Sequence, residues 1–228
     1  MSTNKLQILP VKSFENRSIK NIPYPLQQPN FLMVIVGPCR SGKGVYLMNI
    51  LLNKNLGYRE HFDNIIYISP TLPSDKTGKI LYKDDDITKI TDDLEHLNDI
   101  LKMIVNDQKD SEESLLCVID DCLGLLGSNS SYFSTLCSKY RHYNMSLIVT
   151  TQSFRSVPLI CRSNASAYVL FKSHNKKEIE KLDEELGGMY PSFLDLYDTA
   201  TKEKFSFLYL DMEKATAWQK YDKLLYEQ

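Results

Sequence analysis

Short apolar runs alternate along the chain with segments in which apolar residues recur at every third or fourth position. Residues 31–37 (FLMVIVG) are continuously apolar and end in glycine, the pattern of a strand buried on both faces of a parallel sheet. Helical content follows over residues 44–53. Residues 64–69 (NIIYIS) predict a second buried strand, stopped by Pro70. Ile90, Leu94, Leu97, Leu101 and Ile104 recur at three- and four-residue steps and predict one helical face. Residues 115–119 (LLCVI) give a third strand, residues 130–143 a helix, residues 146–151 (SLIVTT) a fourth strand and residues 167–171 (AYVLF) a fifth. The next helix is predicted to start on a capping pair, Asn175 with Glu178, to bury Ile179, Leu182 and Leu186, and to stop at Gly187-Gly188. Residues 205–210 (FSFLYL) predict a late edge strand. Alternating strands and helices imply an α/β fold, a mostly parallel central sheet with helices on both faces. Pro10, Pro23, Pro25 and Pro29 predict an extended arm over residues 1–30, ahead of a domain spanning 31–228.

Composition adds little. With 43% hydrophobic, 25% charged and 11% aromatic residues, the chain can build a sizeable core and is not a disordered type. No apolar run approaches the roughly 18 residues of a membrane span, and the start lacks a secretory signal, so a cytoplasmic protein is expected. Five cysteines without a C-x-x-C pair read as reduced structural thiols. The net charge of −2 does not announce a nucleic-acid binder, but the charge is uneven. Acids dominate residues 83–113. Lys139, Arg141, Arg155, Arg162, Lys172, Lys176, Lys177 and Lys181 then form a basic stretch that could face a polyanion.

Candidate chemistry lies just after the apolar runs, where parallel sheets bind ligands. Gly37, Pro38, Cys39, Arg40, Ser41, Gly42, Lys43 and Gly44 fit G-x-x-x-x-G-K between a strand and a helix, with Val45 next. Glycines let backbone N–H groups curl inward on a phosphate chain, and the lysine ammonium reaches its outer phosphates. The usual Ser or Thr that ligates Mg²⁺ is replaced by Gly44, with Ser41 the nearest substitute by sequence. The third strand ends in Asp120-Asp121, an acid pair of Walker B type. Asp120 would hold Mg²⁺ through its water shell, and Asp121 would orient and deprotonate the attacking water. Gln152, after the fourth strand, can donate and accept at once, as a γ-phosphate sensor must. Arg141 precedes that strand, at the end remote from its own phosphate loop. It is therefore a candidate arginine finger toward a neighbouring subunit, with Arg155 and Arg162 as rivals.

The stretch Lys139–Ser153 (KYRHYNMSLIVTTQS), together with GPCRSGKG, CVIDDC and FRSVPLICRSNASAYVLF, resembles the FtsK–HerA superfamily of P-loop ATPases, in its poxvirus-type genome-packaging branch. Matching motifs run from about residue 31 to residue 188. The resemblance implies a RecA/ASCE-like P-loop NTPase that uses ATP and Mg²⁺ to drive double-stranded viral DNA into a preformed capsid. It also implies a homo-oligomeric ring, a pentamer or hexamer, working at a capsid or portal vertex in the host cytoplasm, a viral factory or the virion. It assigns Lys43 and the loop glycines to phosphate, Asp120 to the metal, Asp121 to catalysis, Gln152 to sensing and Arg141 to the finger. Two other readings stay open: a nucleotide-binding assembly or regulatory protein with little hydrolysis, which Gly44 favours, and a small-molecule kinase, which would carry an arginine-rich lid and need no Gln152. A terminase is disfavoured because the chain has no room for a nuclease domain.

Overall fold

In the computed structural model, residues 22–53, 57–75, 78–126 and 131–228 are described. The strands are β1 (Leu32–Val36), β2 (Asn64–Ile68), β3 (Ile87–Ile90), β4 (Leu115–Asp120), β5 (Met145–Thr151), β6 (Ala167–Phe171), β7 (Phe207–Asp211), β8 (Thr216–Gln219) and β9 (Lys223–Glu227). The helices are α1 (Lys43–Leu52), α2 (Lys79–Tyr82), α3 (Leu97–Gln108), α4 (Ser131–Lys139), α5 (Leu159–Asn164), α6 (Lys176–Leu186) and α7 (Phe193–Ala200). The nine strands form one sheet in the order β3-β2-β4-β5-β1-β6-β7-β8-β9. The first six are parallel, and β7, β8 and β9 continue the sheet antiparallel.

Side chains alternate across a strand, so β1 feeds two cores at once. Leu32, Val34 and Val36 face the core beneath α3, α4, α6 and α7, while Met33 and Ile35 face the one beneath α1. Every residue of β1 and β6 is buried, which is why these runs are apolar without a break. Residues 22–30 of the proline-rich segment pack against the second core. Ile22, Leu26 and Gln27 are buried there, and Tyr209 donates its hydroxyl to the Pro25 carbonyl at 2.9 Å. Residues 1–21 of the expected arm, and Ser130 at the start of the expected helix, lie outside the described residues.

Four expectations are corrected. Ile90 closes strand β3, which pairs with β2, and does not begin a helix. The helical face is carried by Leu97, Leu101, Ile104 and Val105, with Leu94 in a short 3-10 turn before it. The segment 205–210 is not an edge strand, because β7 pairs with β6 on one side and β8 on the other. Glu178 takes no part in capping α6. Asn175 alone caps it, accepting from the Lys177 N–H, and Gly187 closes the helix. The helix expected over 130–143 stops at Lys139 and tightens to a 3-10 turn over Tyr140–Tyr143.

Candidate phosphate and acid site

The loop between β1 and α1 is built to turn backbone N–H groups inward. Arg40 and Gly42 both have positive φ, 63° and 111°, the alternation that produces an anion-binding nest. Gly37 is obligatory, since a Cβ there would lie 2.8 Å from the Phe171 Cβ and 2.6 Å from the Ser41 Oγ. The Ser41 Oγ is buried and has no hydrogen-bond partner within the protein, leaving a donor and acceptor to be satisfied by what the loop holds. Lys43 opens α1 and is buried, with its ammonium donating to the Gly37 carbonyl at 2.5 Å and to that of Pro38 at 3.4 Å. Burial pulls the Lys43 pKa below its usual 10.5, while Asp121, Asp120 and Cys39 push it back up. A polyphosphate in the loop would supply the missing countercharge.

Across from the loop, β4 ends on Asp120. Three hydroxyls hold its carboxylate: Tyr67 at 2.7 Å, Ser69 at 3.2 Å and Thr150 at 2.6 Å. Burial, and then the Asp120 charge, drive the Tyr67 pKa upward, so its proton stays in place. The Thr150 hydroxyl also accepts from the Asp121 N–H at 3.1 Å. Asp121 itself turns into the left-handed region, φ 54°, which redirects its side chain out of the strand line. Its Oδ2 accepts from the Gln152 amide at 3.2 Å. The order β4-β5-β1 makes this meeting possible, because β5 lies between the acid-bearing strand and the loop-bearing strand and ends beside both.

Sequence reasoning missed Tyr67, Ser69 and Thr150, which become neighbours only through strand order. It also missed Asp75, whose Oδ2 lies 3.7 Å from where a Cβ on Gly44 would stand. Glu178, expected at the start of α6 as half of a capping pair, anchors the loop after β5 instead. It is buried and accepts from the Ser153 hydroxyl at 2.7 Å and the Phe154 N–H at 2.8 Å.

Arg141 stands in the turn leading into β5, at the sheet edge opposite the phosphate loop. It is 57% exposed and bonds to Tyr140 at 3.1 Å and Glu213 at 3.4 Å. Arg162 is tied to Glu185 at 3.1 Å and lies over the Phe154 ring. Arg155 is exposed in the turn just after Gln152. Within the basic stretch, Arg141, Arg162, Lys172 and Lys181 have carboxylate partners. Lys139, Arg155, Lys176 and Lys177 are exposed, and no ion pair reaches them among the described residues. All five cysteines are free thiols.

These residues fit a nucleotide triphosphate with a hard cation. Among the described residues no three His, Cys, Asp or Glu side chains cluster to hold a metal alone. Mg²⁺ suits such a site, because it binds through one or two carboxylates, phosphates and water. Among the described residues no helix is long and apolar enough to cross a membrane.

Comparison with known proteins bears on the family and the fold. Residues 21–187 match the family described as Poxvirus A32 protein. No curated protein matches the chain. Among solved structures, the genome packaging NTPase B204 of Sulfolobus turreted icosahedral virus 2, in complex with AMPPCP, superposes with a TM-score of 0.63 at 16% identity. That match covers 89% of this chain and 100% of that one. B204, the DNA-packaging ATPase of Sulfolobus turreted icosahedral virus, gives 0.64 at 16% identity over 89% of this chain and 100% of that one. The pCW3 conjugation coupling protein TcpA, in its monomer form with ATPγS, gives 0.52 at 15% identity over 78% and 56%. At these identities the structural likeness establishes a shared fold.

Proposed function

The chain belongs to the Poxvirus A32 protein family, and on that footing we propose that it is an ATP-driven motor that packages double-stranded viral DNA. The observation that carries the reading is the contact of Asp121 with Gln152 at 3.2 Å, facing a phosphate loop across one strand. A base and a polar sensor so placed serve hydrolysis, and a protein that only binds nucleotide has no need of them.

Bound with Mg²⁺, ATP supplies the transferable γ-phosphoryl group. The loop N–H groups and Lys43 hold and neutralise the phosphates. Asp120, held by Tyr67, Ser69 and Thr150, would orient the water shell of a bound cation. Asp121 accepts the proton of the attacking water, and Gln152 fixes that carboxylate while it does so. Gly44 contributes no oxygen, and Asp75 is the carboxylate nearest that gap. Arg141 faces away from its own site, so its role is on a neighbour's nucleotide in a ring. The exposed cations Lys139, Arg155, Lys176 and Lys177 are the candidates for gripping DNA phosphates.

The test is ATP turnover by the purified protein with and without duplex DNA. Stimulation by duplex, lost steeply as salt rises and insensitive to sequence, supports a translocase. Turnover that ignores DNA removes the motor reading, and absent turnover with intact ATP binding leaves an assembly or regulatory protein.

A further inference from the structure

Phe205 is a strained, exposed aromatic set against the phosphate loop. Its φ is 65°, in the left-handed region, where a bulky side chain is a true outlier. Such strain persists where the surroundings impose it, and it clusters at ligand clamps. Core burial does not explain it here, since the Phe205 side chain is 56% exposed while its neighbours Ser206 and Phe207 are buried. The ring lies instead beside Gly42, with Cδ1 3.3 Å from where a Cβ on that glycine would be, and Lys204 covers it at 4.8 Å.

Strand order gives this position a meaning. The phosphate loop follows β1, with Asp120, Asp121 and Gln152 on its β4–β5 side. A nucleotide whose terminal phosphate meets those acids must extend its other end toward β6 and β7. On that side lies a cleft of about 520 Å³, mostly carbon-lined, between the first turns of α1 (Gly42, Val45, Asn49) and Phe205 with Tyr221. Val45 is also 56% exposed. A carbon-lined cleft with an exposed aromatic ring at its rim suits a flat, neutral heterocycle.

We propose that Phe205 is the stacking platform for the base of the bound nucleotide, an inference that rests on the ATP-binding reading above. Phe205, Phe207 and Tyr221 lie beyond the family-matched span of residues 21–187, so base recognition falls to a part of the chain that match does not describe.

The test compares binding of ATP with binding of inorganic tripolyphosphate, which offers phosphates without a base, by titration calorimetry. Phe205→Ala should weaken ATP by about tenfold, the scale of base–aromatic stacking, and leave tripolyphosphate unchanged. Phe205→Tyr should retain ATP. Phe205→Gly relieves the backbone strain, so it should melt no lower than wild type while still losing ATP affinity. Unchanged ATP affinity in Phe205→Ala, or an equal loss for both ligands, overturns the proposal. Wild-type protein that binds tripolyphosphate no tighter than Lys43→Ala protein overturns the phosphate-loop reading itself, and the base site with it.

Discussion

The carboxylate of Asp75 comes within 3.7 Å of the point where a side chain on Gly44 would begin. That separation is ordinary contact, so position 44 is sterically open and its glycine is not demanded by packing. Gly44→Ala, in the first turn of α1, should raise stability by about 0.5–1 kcal/mol. Gly44→Thr restores the hydroxyl and should strengthen ATP binding in Mg²⁺ relative to ATP binding in chelator. Asp75→Asn should weaken that Mg²⁺-dependent gain. If neither variant alters the ratio of the two affinities, the cation is held without this corner of the site.

Asp121→Asn should keep ATP affinity and lose turnover by roughly 10²-fold or more, since an amide cannot accept the water's proton. Gln152→Ala should fall less far, because Asp121 keeps its carboxylate and loses only its orienting donor. Steady-state turnover beside equilibrium ATP binding separates the two. Equal turnover by wild type and Asp121→Asn would remove Asp121 from the mechanism.

Buried Glu178 holds the backbone from which Gln152 reaches Asp121. Glu178→Ala strands the Phe154 N–H and should cost about 1–3 kcal/mol. It should also lower turnover more than ATP affinity. Glu178→Gln, which keeps one accepting oxygen, should recover part of both. Thermal melts with paired turnover assays check this, and a melt shift without any change in turnover would confine Glu178 to stability.

Arg141 and Lys43 sit at opposite ends of the parallel strands, a strand length of roughly 17–20 Å, beyond the reach of one arginine side chain. Lys43→Ala and Arg141→Ala proteins should each be inactive. Mixed, they should regain part of the activity, because some interfaces will join an intact loop to an intact finger. Co-assembly without recovery would exclude Arg141 as a finger in trans and turn attention to Arg155, since Arg162 is held by Glu185.

The binding pH profile follows from burial of Lys43. Its lowered pKa means that the ammonium charge is lost, as pH rises, earlier than in an exposed lysine. ATP affinity should therefore begin to fall below pH 10.5, and the fall should be delayed in Lys43→Arg protein.

The strands β1, β2, β4, β5 and β6 were legible because burial on both faces leaves an unbroken apolar run. The strand β3 was not, since ITKI mixes charge with apolar residues and its Ile90 falls in step with the following helix. The hairpin of β8 and β9 (TAWQ and KLLYE) is short, half-exposed and without a run to read. Within the candidate site, Lys43 was legible from the glycine-and-lysine pattern of its loop, and Asp120, Asp121 and Gln152 from their places at the ends of strand-like runs. Tyr67, Thr150, Asp75 and Glu178 were not, because their roles arise from which strands and loops become neighbours, and spacing along the chain does not encode that.

The Thr150 hydroxyl donates its only proton to Asp120 and accepts from the backbone of Asp121. The two acids are thereby latched to a single strand, β5, whose far end begins just after Arg141. All seven residues of β5 are buried and it is flanked by strands on both sides. Its register with β4 and with β1 is fixed along its length. The acid pair is therefore indexed to the same rigid lattice as the loop that follows β1, and the spacing between acids and loop is set by the sheet itself.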